Sequence, residues 1–246
     1  MQAKDAPMQA KTPRVKLAGM CGRFTQSDKT LPGLDLVASQ DAIENPIRPT
    51  RYNGAPSQDF WVIRRHPETG AYHRDLLRWG LIPYFTKEAN GGRKPINAKS
   101  ETVAALPSFR AAYAKRRCIV PIDNFFEWRK TTPPKQPFAI GMADGSAFGL
   151  AAIWENWKDP ASGEYVRTFC ILTCPANGLI AAIHDRMPVI LSPDAYHRWL
   201  SPLEPAPNDL LRPYPPEFMR MWPVSTRVNT PQNDDASLLD PLDPAP

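Results

Sequence analysis

Cys21 follows Met20 and precedes Gly22-Arg23-Phe24. Met1, Met8 and Met20 can each serve as a start. If translation starts at Met20 and that methionine is removed, Cys21 carries an α-amine and a thiol on adjacent carbons. An α-amine titrates at about 7.7–8.0, so a useful fraction is neutral at neutral pH. Such an aminothiol captures an aldehyde in two steps. The amine forms a Schiff base, and the thiol then closes a five-membered thiazolidine ring. Neither group alone makes that ring. A buried, inert thiol is the competing reading of a lone cysteine.

Three other residues can serve such chemistry. Glu127 lies among aromatics in Asn124-Phe125-Phe126-Glu127-Trp128-Arg129, where burial would raise a carboxyl pKa and suit it to proton transfer. Strand periodicity turns it away from Phe126 and Trp128, which equally suits a surface residue paired with Arg129 or Lys130. His184, in Ile183-His184-Asp185-Arg186-Met187-Pro188, is a candidate proton shuttle or a stabilising histidine at a helix end. His66, His73 and His197 show no comparable neighbourhood. Asn97, in Pro95-Ile96-Asn97-Ala98-Lys99, can orient a nucleophile or a sugar oxygen, or simply cap a turn. Lys99 and Arg110 can contact phosphates. Trp79, Phe125 and Trp128 can stack on bases or fill a core. Cys170 and Cys174 share a strand face at ligand-like spacing, but no second pair completes a zinc site. No metal or cofactor is expected, and no Walker loop, Rossmann glycine run or Gly-x-Ser-x-Gly elbow occurs.

The elements that must position these residues are mostly strands. Phe60–Arg65 and Tyr72–Trp79 read as a hairpin around a His66–Gly70 turn. Cys118–Pro121, Phe125–Trp128 and Phe169–Cys174 read as further strands. Phe138–Met142 and Phe148–Trp154 read as a pair across Asp144-Gly145, and Val224–Val228 as a last strand. Short helices are expected over Leu31–Ser39, over Ser108–Arg116 with Ser108 as N-cap, and from Ser192-Pro193 to Leu200, with a helix or helical turn over Ala176–His184. Strands outnumber helices without alternating with them, which favours an α+β fold. Residues 1–19 and 229–246 lack apolar periodicity and are expected to be disordered.

The 246 residues suffice for one large domain or two small ones. Four cysteines do not make a disulfide scaffold, and no apolar run is long enough to span a membrane. A reducing, cytoplasmic location follows as the expectation, nucleoid-associated if the source is bacterial. A net charge of +5 fits nucleic acid without excluding a small anionic substrate.

Six segments, taken in order, resemble the SRAP family, whose members crosslink to abasic sites. They are Met20–Phe24, Tyr52-Asn53-Gly54-Ala55-Pro56, Trp79-Gly80-Leu81-Ile82-Pro83, Asn97–Thr102, Cys118–Pro121 through Trp128, and Ile183–Pro188. The resemblance spans residues 20 to 228. It implies a single domain with a curled, barrel-like mixed β core flanked by short helices, and single-stranded DNA with abasic sites as partner. It assigns Cys21 as nucleophile, Asn97 as the amide holding sugar and amine, and Glu127 as the proton carrier. His184 would assist ring opening, β-elimination or reversal. Arg23, Lys99 and Arg186 match cations that face the DNA backbone. Two departures stand out. Residues precede Met20, and Lys99 stands where many members have arginine, which keeps the charge but loses the bidentate fork.

Three functions therefore compete: a monomeric abasic-site crosslinking enzyme with lyase or self-cleaving activity, a thiol peptidase using Cys21 with His184, and a non-catalytic single-strand binder.

Overall fold

The computed structural model describes residues 21–37, 39, 44, 48–88, 92–129, 135–202 and 206–242. The expected disorder of residues 1–19 lies outside them.

Several strands are buried at every position, as Arg117–Ile122 and Pro137–Met142 are. Such strands need cover on both faces, and two β layers supply it. In chain order the strands are β1 (Phe24–Gln26), β2 (Leu36–Val37), β3 (Arg51–Gly54), β4 (Asp59–Arg65), β5 (Tyr72–Trp79), β6 (Asn97–Lys99), β7 (Arg117–Ile122), β8 (Asn124–Trp128), β9 (Pro137–Met142), β10 (Phe148–Lys158), β11 (Tyr165–Pro175), β12 (Arg186–Pro188), β13 (Ile190–Leu191) and β14 (Met219–Pro223). Two short α-helices are described, α1 (Arg110–Lys115) and α2 (Tyr196–Leu200).

Antiparallel pairing runs β11-β10-β7-β4-β5. A parallel pairing then returns β5 to β11, with Arg78 opposite Thr168 and Trp79 opposite Phe169. The five strands form a closed mixed barrel, which removes their free edges. β6 adds to β11 beyond the end of β5, placing Asn97 opposite Ile171.

The second layer has the order β14-β9-β8-β1-β3. Asp123 alone separates β7 of the barrel from β8 of this layer. Phe125 joins the main core, whereas Phe126 joins a second cluster with Val224, Val228 and Leu238. Both faces of β8 are therefore covered, and Glu127, on the Phe125 side by period two, is buried rather than exposed.

Five expectations are corrected. Residues 31–37 form a turn and β2 instead of a helix, because Leu31 and Leu34 anchor an irregular segment on the barrel. β9 and β10 do not pair. β9 lies between β8 and β14, while β10 lies between β7 and β11, and their uniformly apolar faces left pairing undetermined by local pattern. The last strand is β14, and Thr226–Asn229 is a 3₁₀ turn. Residues 229–242 pack on the fold. Asp234 accepts hydrogen bonds from the backbone N–H groups of Tyr52 and Asn53, at 2.6 and 2.9 Å, and Leu238 is fully buried. Side-chain capping of α1 by Ser108 is also absent; Phe109 precedes its first turn.

Candidate active site

β1 and β8 pair with Phe24 opposite Phe125, which brings Cys21, three residues before β1, beside the Glu127 carboxylate near the end of β8. The nitrogen of Cys21 donates to Glu127 Oε1 at 2.5 Å. Both residues are 1% exposed. From the other side, Asn97 Nδ2 donates to the Cys21 carbonyl oxygen at 3.4 Å. Its position is fixed by β6–β11 pairing and by Trp79, whose Nε1 donates to the Ile96 carbonyl at 2.9 Å.

Burial pushes the Cys21 thiol well above its ordinary range, and the negative charge of Glu127 adds to the shift. The sulfur therefore keeps its proton near neutral pH. The nitrogen makes the hydrogen bond to the Glu127 carboxylate. Cys21 also has a positive φ of 28°, a region that non-glycine residues seldom occupy.

His184 lies 7% exposed after the Ile180–Ala182 turn. Its Nδ1 lies 3.0 Å from the Arg186 backbone nitrogen and 3.3 Å from the Arg186 carbonyl oxygen, accepting from the one when unprotonated and donating to the other when protonated. Protonation of Nδ1 would turn it toward Asp185 Oδ1, 3.3 Å away. β12 pairs with the end of β11, setting Pro188 opposite Thr173, and Thr173 also pairs with Lys99. His184 and Arg186 thus stand at the same end of β11 as Asn97 and Lys99.

The expected DNA-contacting residues divide. Lys99 and Arg110 are exposed. Arg186 is held by both carboxylate oxygens of Glu101 and by the Thr173 carbonyl. That guanidinium depresses the Glu101 carboxyl to about 2, so the pair is charge-neutral across the physiological range. Arg23 donates to Asn53 Oδ1 at 3.0 Å and to the Val228 carbonyl at 2.7 Å, and so ties β1 to the C-terminal segment. Trp79 is 1% exposed and packs against Phe24 and Phe169. It is a core residue with no face open to a base, and Phe125 is likewise fully buried.

Residues overlooked in the sequence lie along a cleft of about 770 Å³ that reaches Asn97 and Lys99. Lys87 and Arg93 add positive charge to its wall, against Glu88. Phe85 lines it and Tyr84 adjoins, both more than half exposed and in edge contact with each other. The signal was available in the sequence: two aromatics opening a polar, basic loop immediately after Trp79–Pro83. Among the described residues no cluster of metal-ligating groups occurs, and Cys170 and Cys174 are both buried in β11.

Comparison with known proteins gives this arrangement a family. The family model for SOS response associated peptidase (SRAP) proteins matches residues 20–231. The chain belongs to the SRAP family. Curated SRAP relatives include the abasic site processing protein YoqW of Bacillus subtilis, 37% identical over 90% of this chain and 99% of its own. The abasic site processing protein YedK of Escherichia coli is 33% identical over 91% of this chain and the whole of its own. A crystal structure of a Bacteroides thetaiotaomicron protein superposes with a TM-score of 0.78 at 26% identity, covering 90% of this chain and all of that one. The barrel and its second layer are thus the SRAP fold. The match beginning at residue 20 places the Met20-Cys21 step at the start of the family domain.

Proposed function

We propose that this SRAP protein processes abasic sites in single-stranded DNA by forming a covalent thiazolidine with the sugar aldehyde through Cys21. The observation that carries this reading is the contact between the Cys21 nitrogen and the buried Glu127 carboxylate. The names of the curated relatives support the substrate class, and the basic, aromatic-edged cleft beside Asn97 suits a single strand.

The route requires Cys21 to be the first residue, since an amide nitrogen is not nucleophilic. Initiation at Met20 with methionine removal achieves this, as does self-cleavage before Cys21. The freed α-amine would lie against Glu127, which takes its proton as the nitrogen attacks the ring-opened sugar carbonyl. The carboxyl returns that proton to the former carbonyl oxygen, carries the second amine proton to the same oxygen, water leaves, and a neutral Schiff base remains. The Cys21 thiol then adds across the carbon–nitrogen double bond, its sulfur to carbon and its proton to nitrogen. A thiol held protonated by burial does not compete with the amine for the first attack. Asn97 holds the Cys21 carbonyl and so fixes the rotation of the nucleophile. Lys99 and Arg110 offer charge to phosphates, and Phe85 offers a face to a base. His184, at the same end of β11 as Asn97, would assist ring opening or elimination.

Intact-mass measurement of the adduct tests this chemistry. A thiazolidine has the summed masses of protein and DNA less one water, and it persists without borohydride because no imine remains. An adduct trapped only after borohydride reduction would contradict ring closure.

A further inference from the structure

Five basic residues converge on a second pocket of about 340 Å³, away from Cys21. Arg64 and Arg65 end β4, Lys115 ends α1, and Arg116 and Arg117 lead into β7. Like charges gathered in one concave wall create a strongly positive local potential. Two carboxylates offset part of it: Asp75 pairs with Arg64, and Glu155 with Arg116 at 2.9 Å. Arg117 is anchored by the carbonyls of Tyr113, Ala114 and Trp199 at 2.8–3.0 Å, and carbonyl partners leave its charge intact. Among the described residues, neither Arg65 nor Lys115 pairs with a carboxylate. Arg116 Nε is buried without an acceptor, a donor that a ligand oxygen could satisfy.

The chemistry favours a phosphate over a base. The aromatic wall, Trp154, is already covered by the Arg64 guanidinium, 4.6 Å above its ring. What remains available is cationic, and guanidinium forks match phosphate oxygens. The pocket is also connected to the first cleft. Phe109, just before α1, lines that cleft, and Arg116, just after α1, lines this pocket. At 1.5 Å per residue the six-residue helix spans about 9 Å, with exposed Arg110 at one end and Lys115 at the other.

We propose that this pocket is a second phosphate-binding site, which seats the backbone of the same DNA strand after it leaves the cleft along α1. The assignment rests on the single-stranded DNA reading above.

Fluorescence anisotropy with protein beginning at Cys21 tests it, using a short oligonucleotide confined to the cleft and a long one, each titrated against salt. The variant is R65E/K115E, two rim residues outside the Cys21 site, with its fold checked by thermal melting. The expected result is about tenfold weaker binding of the long strand, with a salt slope reduced by roughly 1.4 for two lost single-strand phosphate contacts. Short-strand binding and crosslinking stay unchanged. Unchanged long-strand affinity and slope would overturn the proposal while leaving the Cys21 chemistry standing. Wild-type protein that binds neither strand would instead overturn the underlying reading. Stabilisation by inorganic phosphate that R65E/K115E abolishes, without any effect of strand length, would reassign the pocket to a small anion and overturn the strand path.

Discussion

At the scale of single residues, the proposed reaction asks two things of one cysteine, and the structure surrounds its two groups differently. The Cys21 nitrogen faces Glu127, whereas burial and the same carboxylate keep its sulfur protonated. Replacing Glu127 with Gln removes the proposed proton carrier and should slow adduct formation by roughly 10²–10⁴-fold; an unchanged single-turnover rate would remove Glu127 from the mechanism. The same substitution deletes a negative charge beside the thiol. The midpoint of the thiolate ultraviolet absorbance should therefore move to lower pH in E127Q, because less repulsion opposes the anion. A midpoint that rises or stays fixed would deny the electrostatic coupling. His184→Ala should impair elimination or reversal more than first capture, and equal loss in both assays would argue against its assigned part. Cys21, Asn97, Glu127 and His184 were legible by residue type and by resemblance. The burial of Glu127 was not, because period two only says that it opposes Phe126, and both sides of β8 turn out to be covered. Trp79 misled for a related reason: an aromatic's type does not tell a stacking face from a packed one, and its indole instead positions the strand that carries Asn97.

At the scale of elements, the barrel strands β4, β5, β7 and β11 could be read from their apolar runs, and the β4–β5 hairpin from its turn. The partners of β9 and β10 could not, since a strand buried on both faces carries no alternation to fix its neighbour. The C-terminal segment was hidden by its composition. Polar and proline-rich, residues 229–242 hold their place through Asp234, through the Asn53 amide and through one apolar side chain, Leu238. Leu238→Ala should cost about 2–5 kcal/mol of unfolding free energy, the usual range for a truncated core leucine. Urea denaturation showing almost no loss would mean that this segment is peripheral. Because Arg23 and Trp128 bond to the backbone or side chain of residues 228–229, loosening the segment should also loosen β8, which carries Glu127, and its neighbour β1.

For the whole molecule, the +5 charge is less informative than its distribution. Arg186 and Arg23 are engaged internally, so the charge that the cleft and the start of α1 offer to DNA is that of Lys87, Arg93, Lys99 and Arg110, with Lys115 and Arg65 beyond it on the proposed strand path. Non-covalent affinity for single-stranded DNA should fall with log salt by about 0.7 per neutralised phosphate, and a salt-independent affinity would point to a substrate other than nucleic acid. The central claim, capture through Cys21, meets its most direct test on a denaturing gel. Protein shown by mass to begin at Cys21 is incubated with single-stranded DNA carrying one abasic site. The account predicts a shifted band that survives denaturation and disappears in Cys21→Ala, with non-covalent binding retained. No band from the wild-type protein, or an equal band from Cys21→Ala, would contradict it.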